Sequence, residues 1–242
     1  MLDLFKIFQE FSDLTVALSE KKDGSMKIVS DAQSAKVIAG NRRRFFEQLG
    51  IGEENTVAAD IVHGNRVEIV SSRDKNKTIL RTDGLLTEER GLFLTLTVAD
   101  CLPIFLYEKK MGIIGLIHAG WRPLSKNILE EAMTEIKGLM GLPENIVVGI
   151  GPGISKCHFE VKEDVAEVFA DFHQMAMKRR DGKLFLDLKE IAKLQLLRLG
   201  LKEANIEVSP ECTFCLENKY FSARRDQPEK IQAMAAVIGR KT

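Results

Sequence analysis

Residues 92–103 read LFLTLTVADCLP, an apolar run that ends in an Asp, a Cys and a Pro. The run is too short for a helix and is rich in β-branched residues, so it predicts a strand that is buried on both faces. Residues 56–62 (TVAADIV) and residues 112–117 (GIIGLI) have the same character. Together the three runs predict a β-sheet at the core of the protein.

Three helices are predicted from apolar periodicity and from the residues that stop them. They cover residues 34–49, 125–140 and 187–199, and a glycine follows each of them. A hairpin is predicted at residues 14–29 and a further buried strand at residues 146–150. Because strands outnumber helices and do not alternate with them regularly, we expect an α+β fold with a mixed sheet core. The chain shows no internal repeat or flexible linker, so we expect the whole of it, 1–242, to form one domain.

The composition and charge of the chain argue against several classes of protein. Lys and Arg together number 35, as do Asp and Glu, so the formal net charge is zero. This balance argues against a protein that works by coating nucleic acid or an anionic membrane. No apolar run approaches the ~18 residues that a membrane-spanning helix needs, and the N-terminus has no signal-peptide pattern. Four Cys among 242 residues are too few for a disulfide scaffold, which favours a reducing cytoplasm.

Each of the three predicted core strands runs into a side chain that can bind a metal. His63 follows the first strand, Cys101 the second and His118 the third, and a Gly or Pro bends the chain beyond each of them. Side chains just past strand ends are those that meet in a cleft. Two His and one Cys form the ligand set of a catalytic zinc site, which keeps a fourth position open. In the alternative interpretation Cys101 is a small buried residue and both His are satisfied by neighbouring groups, because their separations match no local zinc motif.

Short motifs surround these three residues and continue toward the C-terminus. They are NR (41–42), HGNRV (63–67), DGLLT (83–87), TVADCLP (97–103), HAGWR (118–122), GPGI (151–154), FEV (159–161), CT (212–213) and FSARRD (221–226). In this order they resemble the signatures of the YfiH-like laccase-domain family. Members of that family are also called polyphenol oxidase or purine nucleoside phosphorylase family proteins.

The resemblance implies a layered α/β/β/α arrangement of mixed β-sheets, which belongs to the α+β class. It also implies a metal site at His63, Cys101 and His118, usually holding zinc, or copper in the older polyphenol oxidase naming. Arg42 falls on a family Arg that is expected to bind phosphate or substrate. The implied activities are phosphorolysis of adenosine, inosine and related purine nucleosides to the free base and ribose 1-phosphate, and deamination of adenosine. The family's N-terminal Arg has no counterpart near residues 19–25, which bears on how substrate is held.

Further residue roles follow from this chemistry. Phosphorolysis needs cations that hold phosphate, and Arg42 and Arg122 are the candidates. The predicted catalytic residues are Cys101, His118 and Arg42. Asp100, beside Cys101, is predicted to contact substrate or to orient a ligating His. The alternative roles are surface cations for the two Arg and a turn or cap residue for Asp100.

Other functions would use the same residues. A Cys-His hydrolase of the amidase type would use Cys101 as nucleophile and His118 as base, and a bound metal would exclude it by occupying the thiolate. The four His of the chain are too few for a multicopper laccase, although one copper at the triad would allow weak polyphenol oxidase activity. A zinc- or nucleoside-binding regulator without catalysis is a further alternative. We expect small-molecule partners, a purine nucleoside and phosphate, and neither nucleic acid nor membrane; no pattern in the sequence fixes the oligomeric state.

The remaining Cys residues receive a structural interpretation. Cys212 and Cys215 form a lone C-x-x-C pair, and we interpret them as partly buried thiols rather than as a redox or zinc site. Cys157 and His158 follow a Gly-Pro-Gly turn and are expected to border the cleft. Trp121 is expected to fill the core, with stacking on a purine ring as the alternative.

Overall fold

The computed structural model of the protein describes residues 4–27, 32–227 and 231–242. Within these ranges the chain forms fourteen β-strands and seven α-helices, joined in places by short 3-10 turns. The strands are β1 (Leu14–Leu18), β2 (Thr56–Ala59), β3 (Val67–Ile69), β4 (Lys77–Ile79), β5 (Gly84–Thr87), β6 (Phe93–Val98), β7 (Leu102–Glu108), β8 (Ile113–Ala119), β9 (Ile146–Ile150), β10 (Glu160–Val161), β11 (Met177–Arg180), β12 (Lys183–Leu186), β13 (Ile206–Val208) and β14 (Met234–Arg240). The helices are α1 (Ala32–Gln48), α2 (Trp121–Ser125), α3 (Ile128–Gly138), α4 (Glu163–Glu167), α5 (His173–Ala176), α6 (Leu188–Arg198) and α7 (Ala223–Asp226). No helix in the described ranges has both the length and the apolar character that crossing a membrane requires.

The strands form two large mixed sheets and one small antiparallel sheet. The six-stranded sheet has the order β13-β9-β7-β8-β5-β3, and the five-stranded sheet has the order β1-β14-β6-β2-β4. Strand β6 is parallel to β2 and antiparallel to β14, while β5 is parallel to β3 and antiparallel to β8. Strands β10, β12 and β11 form the third sheet. The expected α+β class with mixed sheets is therefore confirmed.

The two large sheets pack face to face between two layers of helices. Apolar side chains of β6 and β14 meet those of β7 and β8 in a shared core, where Leu94, Phe105 and Leu116 are fully buried. Helices α3 and α6 cover the outer face of the six-stranded sheet, and α1 covers the outer face of the five-stranded sheet. Burying one such side chain contributes about 1.5–3 kcal/mol to folding. The layering is the α/β/β/α arrangement that the resemblance implies.

Two of the three predicted core strands form nearly as expected, and the third is shorter. Strands β6 and β8 are buried along almost their whole length. Strand β2 ends at Ala59, opposite the last residue of β4, because the chain then turns to wrap around Asp83. His118 lies inside β8, where it pairs with Pro103 of β7, rather than beyond the end of the strand.

The prediction of an N-terminal hairpin is wrong over the described residues. Strand β1 pairs along its whole length with β14, so its partner comes from the other end of the chain. A 3-10 turn at Lys21–Asp23 follows β1, and the Met26 N–H then donates to the Ala233 carbonyl. Residues 28 and 29 of the predicted return strand lie outside the described residues.

The helix predictions differ in how well they match the structure. Helix α6 begins directly after Asp187, whose carboxylate accepts a hydrogen bond from the Glu190 N–H at 3.3 Å. The helix predicted at residues 34–49 corresponds to α1. The helix predicted at residues 125–140 is interrupted, and α2 and α3 form instead. The break falls at Asn127, whose φ of 59° is a left-handed conformation that a right-handed helix does not contain.

Candidate functional site

The three predicted metal ligands meet where strands β6 and β8 end. The donor atoms of His63, Cys101 and His118 all lie within 4.8 Å of one another. The two imidazole rings lie edge to face, with their centroids 4.9 Å apart. Cys101 lies in the short link from β6 to β7, and the register of β7 with β8 places His118 opposite Pro103. Residues far apart in the sequence therefore converge because strands of the two packed sheets end close to one another.

His63 is held by a loop that wraps around the Asp83 carboxylate. The backbone N–H groups of Val62, His63 and Gly64 donate to this carboxylate at 3.3, 2.9 and 2.7 Å. These bonds support the left-handed conformation of His63, whose φ is 56°. The Lys126 ammonium donates to the His63 carbonyl at 3.1 Å, which ties the loop to the chain beyond α2. His63 is exposed, so this side of the site is open to solvent.

Asp83 also fixes the ring of His118. The Nδ1–H group of His118 donates to Asp83 Oδ1 at 2.9 Å, and both residues are buried. Burial alone would raise the pKa of Asp83, but the hydrogen bonds from His118 and from the loop backbone outweigh it and lower the pKa. The ionised carboxylate keeps the proton on Nδ1 and leaves Nε2 available, as in many metal-ligating His residues. Sequence reasoning missed this role of Asp83, although the residue opens the DGLLT motif.

Cys101 and His118 shift each other's pKa in opposite directions. Burial would raise the pKa of the Cys101 thiol, but the charges and hydrogen bonds of His118 and His63 outweigh it and lower the pKa to about 6. Burial would lower the pKa of His118, but Cys101 and Asp83 outweigh it and raise the pKa to about 9. Cys101 is therefore mainly a thiolate at neutral pH, which both metal binding and nucleophilic attack require.

Gly120 leaves room for the sulfur of Cys101. A Cβ atom at this position would lie 2.7 Å from the Cys101 Sγ, closer than real Cβ atoms approach another heavy atom. The glycine of the HAGWR motif is therefore required by the packing of the site.

Asp100 supports the Cys101 loop from behind rather than contacting a His. Its carboxylate accepts hydrogen bonds from the Thr213 hydroxyl at 2.6 Å and the Ser222 hydroxyl at 3.0 Å. The backbone N–H of Arg224 donates to the same carboxylate at 2.7 Å. The hypothesis that Asp100 orients one of the two His residues is therefore wrong, because Asp83 accepts the hydrogen bonds of both of them. The predicted contact between Asp100 and substrate stays a prediction.

Arg42 lies on α1 and has partners apart from the triad. Its guanidinium forms an ion pair with Glu53 at 2.9 Å and packs over the Phe46 ring at 5.1 Å. It is buried, and it lines a cavity of about 140 Å³ together with residues of β2 and β6 such as Thr95 and Thr97. Among the described residues, the structure brings no member of the triad into a hydrogen bond or ion pair with Arg42.

Arg122 lies on α2, close behind His118 in the chain. Its guanidinium is exposed and stacks over the Trp121 ring at 4.3 Å. The Trp121 ring is half-buried and packs against the core beneath the helices, in agreement with its expected place. Of the two Arg residues predicted to hold phosphate, Arg122 is the one whose charge is open to solvent.

The structure also brings together a second group of metal-capable side chains. Cys157, His158, Cys212 and Cys215 place their donor atoms within 4.8 Å of one another. Cys157 and His158 therefore face the C-x-x-C pair, although their sequence positions predict separate roles for the two segments. The signal available in the sequence was weak, because 55 residues separate Cys157 from Cys212.

Sequence comparisons relate the whole chain to known proteins. A family model described as multi-copper polyphenol oxidoreductase laccase matches residues 18–241. The chain is 34% identical over 217 residues to the purine nucleoside phosphorylase YlmD of Geobacillus stearothermophilus. The aligned region covers 84% of this chain and 79% of that protein. It is 30% identical over 190 residues to the adenosine deaminase RL5 of an unknown prokaryotic organism. That aligned region covers 74% of this chain and 72% of that protein.

Solved structures show the same fold. A crystal structure of YlmD from Geobacillus stearothermophilus matches with a TM-score of 0.88 at 31% identity, covering 97% of this chain and 94% of that chain. A crystal structure of the Bacillus licheniformis hypothetical protein YfiH matches with a TM-score of 0.87 at 27% identity, covering 96% of this chain and 95% of that chain. These similarities confirm the resemblance that the motifs indicated.

Proposed function

This chain belongs to the multi-copper polyphenol oxidoreductase laccase family, and we propose that it is a zinc-dependent purine nucleoside enzyme of that family. The proposed reaction is phosphorolysis of adenosine, inosine and related nucleosides to the free base and ribose 1-phosphate, with adenosine deamination as a second activity. The observation that carries the proposal is the convergence of His63, Cys101 and His118 beside solvent. The relatives named purine nucleoside phosphorylase and adenosine deaminase support this substrate class.

The donor set of the triad fits zinc. Two imidazole nitrogens and a thiolate within 4.8 Å of one another suit a tetrahedral ion with Zn–N distances of about 2.0–2.1 Å and a Zn–S distance of about 2.3 Å. Sulfur and imidazole favour zinc or copper over magnesium and calcium, which prefer oxygen. When bound, zinc supplies a Lewis acid with a fourth position open to substrate. His63, Cys101 and His118 would hold the ion, and Asp83 would keep the His118 ring in place.

In the proposed phosphorolysis an oxygen of phosphate forms a bond to C1′ of the ribose while the C1′–N9 bond breaks. The base leaves with the electron pair of that bond, and the proton given up by hydrogen phosphate balances the one that the base gains. We assign the phosphate to Arg122 because its guanidinium is exposed, whereas Glu53 already neutralises Arg42. A cation that holds the anion beside the ribose lowers both the entropic and the electrostatic part of the barrier.

In the proposed deamination water adds to C6 of adenosine and ammonia leaves, which gives inosine. This reaction needs the open side of the triad and does not need phosphate. The exposed position of His63 provides that opening. Dependence on phosphate therefore separates the two activities.

A Cys-His hydrolase is the second candidate function. It is favoured by the Cys101 pKa of about 6 and by the neighbouring His118, whose pKa is about 9. In this function the Cys101 thiolate attacks an amide carbonyl and His118 donates its proton to the leaving amine. Zinc content separates the two functions, because a bound zinc occupies the thiolate.

A multicopper oxidase mechanism does not fit the donors of this chain. The chain has four His, and in its described part His63 and His118 belong to the triad while His158 belongs to the second group. Blue and trinuclear copper centres need more imidazole ligands than these. One copper at the triad would be the basis for any weak polyphenol oxidase activity.

The products formed from adenosine test the proposed function. The zinc-loaded protein is incubated with adenosine, with and without phosphate, and the products are separated by chromatography. Adenine and ribose 1-phosphate that form only with phosphate are the result expected of a phosphorylase, and inosine is the result expected of a deaminase. Formation of neither product, or equal amounts from the Cys101→Ala variant, would refute the proposal.

Two Arg variants test the phosphate site. Arg122→Ala should raise the KM for phosphate at least about 10-fold, because charge-assisted hydrogen bonds are lost, and should leave the KM for adenosine unchanged. The matched control is Arg179→Ala, which removes another exposed Arg, paired with Glu163 at 2.6 Å. If Arg122→Ala left the KM for phosphate unchanged, the assignment of Arg122 would be wrong.

A further inference from the structure

The second group of metal-capable side chains joins two loops that are distant in the sequence. The Cys157 Sγ lies 3.5 Å from the Cys212 Sγ and 3.5 Å from the Cys215 Sγ. The Cys215 Sγ lies 3.3 Å from the His158 Nδ1. The group shares no residue with the triad, and together the two groups use all four Cys of the chain.

The spacing of the four donor atoms matches a tetrahedral metal site. With Zn–S distances of about 2.3 Å and a Zn–N distance of about 2.0–2.1 Å, a tetrahedron places sulfurs about 3.8 Å apart and sulfur about 3.6 Å from nitrogen. The observed separations of 3.5 and 3.3 Å are close to these values. A disulfide would need its two sulfurs about 2.05 Å apart, so none of these pairs is bonded as one.

Surrounding groups donate to one sulfur of the C-x-x-C turn and hold its backbone in place. The N–H groups of Ser155 and Cys215 both donate to the Cys212 sulfur, the former at 3.4 Å. The Arg225 guanidinium donates to the carbonyls of Thr213 and Phe214 at 2.8 and 2.9 Å. These bonds fix the conformation of the turn without using either sulfur as a donor.

The ring of His158 is also held in a ligating orientation. It stacks on the Phe214 ring with centroids 4.1 Å apart and planes 12° apart. Because the stacking limits rotation of the ring, Nδ1 stays directed at the Cys215 sulfur.

From this geometry we propose that Cys157, His158, Cys212 and Cys215 bind a structural zinc ion. Three thiolates and one imidazole form a closed Cys3His set, which leaves no position for substrate and is typical of structural zinc. The ion would link the loop after β9 to the turn that precedes α7.

The proposed zinc site lies behind the triad and is connected to it. Thr213, which lies between the two Cys of the turn, donates its hydroxyl hydrogen to Asp100 at 2.6 Å. The Thr213 N–H donates to the Gly153 carbonyl at 3.2 Å, so both loops meet at this point. Asp100 precedes Cys101 directly, and its φ of 81° shows that the chain there needs such support. The structural ion would therefore hold the loop that presents Cys101.

Metal content measured for three variants tests the site. Protein purified under reducing conditions should carry two zinc ions per chain by elemental mass spectrometry, one for each group. Cys215→Ser should lose the ion of the second group and keep the ion of the triad. Cys101→Ala should lose the ion of the triad and keep the ion of the second group. The matched control Glu217→Gln changes an exposed neighbour of Cys215 and should keep both. The proposal would be overturned if the unaltered protein carried only one zinc per chain and Cys215→Ser kept it. A disulfide within the group in the purified protein would overturn it as well.

Cobalt substitution tests the second group without changing any of its four residues, so the result does not depend on whether a variant of that group folds. The Cys101→Ala protein, which lacks the triad thiolate, is loaded with Co²⁺ and its absorption spectrum is recorded. We expect intense sulfur-to-cobalt charge-transfer bands and the visible bands of a tetrahedral ion, because three thiolates remain in the second group. A spectrum without charge-transfer bands would show that the group does not bind the metal.

Discussion

Asp83 connects two of the proposed ligands, because one carboxylate accepts hydrogen bonds from the His118 ring and from the His63 backbone. Asp83→Asn removes the charge that stabilises this arrangement and turns an amide NH2 toward an N–H donor. We therefore expect zinc affinity to fall about 10–100-fold, measured by competition with a chromogenic chelator. Asp181→Asn, in an exposed turn, is the control and should bind zinc normally. Equal affinities for both variants would contradict the role of Asp83.

Gly120 offers a steric test of the same centre. In Gly120→Ala the added methyl group would lie 2.7 Å from the Cys101 Sγ, so the sulfur must move away from the two His. We expect the variant to lose the triad zinc and to retain the ion of the second group. The control is Gly138→Ala, because beyond the adjoining backbone of its own helix no atom lies within 4 Å of the added Cβ there. Retention of both zinc ions by Gly120→Ala would show that the sulfur does not need this space.

The reactivity of Cys101 should depend on pH in a distinctive way. Because the Cys101 pKa is lowered to about 6, the thiolate fraction in metal-stripped protein is small below pH 6 and rises as the pH increases through that value. Alkylation of Cys101 by iodoacetamide, followed by peptide mass spectrometry, should therefore reach half its maximal rate near pH 6. A short peptide covering residues 97–103 is the control and should do so near pH 8.5, the ordinary value for Cys. A midpoint near 8.5 in the folded protein would contradict the pairing with His118.

Among single residues, the sequence predicts the candidate metal ligands better than it predicts the side chains that hold those ligands by hydrogen bonds. His63, Cys101 and His118 are candidate ligands because each is metal-capable and lies near the end of an apolar strand, and the family resemblance of the motifs around them favours that role. The carboxylate that orients His118 could not be identified, because Asp83 reaches it through a tertiary hydrogen bond across 35 residues. The position of Asp100 beside Cys101 suggests that it orients a His. Its side chain instead accepts hydrogen bonds from Thr213 and from the Arg224 backbone.

Among the elements, apolar runs predict strands more reliably than they predict the strands' partners. Burial on both faces leaves a local signal, and β6, β8 and β9 form where the sequence indicates. Strand β1 pairs with β14 from the other end of the chain, and no nearby residue signals that choice. The length of β2 is likewise set by a tertiary contact, because the residues after Ala59 wrap around Asp83.

The cap at the start of α6 can be tested directly. Asp187→Ala removes the side chain that accepts the Glu190 N–H at 3.3 Å. We expect the free energy of unfolding to fall by about 1 kcal/mol, the usual cost of losing such a cap, in urea denaturation. Glu167→Ala, at an exposed position of α4, is the control and should change stability by less than about 0.5 kcal/mol. A larger effect for Glu167→Ala than for Asp187→Ala would contradict the capping role.

In the whole molecule, the layering of two sheets between helices explains where the chemistry lies. The five-stranded sheet contributes the loop after β2 and the end of β6, and the six-stranded sheet contributes the end of β8. The triad therefore forms only when both sheets are packed together. The α+β class could be predicted from the number and order of the strands, whereas the α/β/β/α layering was implied only by the resemblance of the motifs to a known family. The second Cys and His group was not predicted, because it forms where two loops 55 residues apart meet.

The most direct test of the proposed function measures ribose 1-phosphate formed from adenosine and phosphate by three proteins, each assayed with added zinc. These are the unaltered protein, Cys101→Ala and the control Arg179→Ala. We expect turnover by the unaltered protein and by Arg179→Ala, and a rate at least about 100-fold lower for Cys101→Ala, because a main source of transition-state stabilisation is lost. Phosphate-dependent turnover by Cys101→Ala at the rate of the unaltered protein would contradict the assignment of the reaction to the His63, Cys101 and His118 triad.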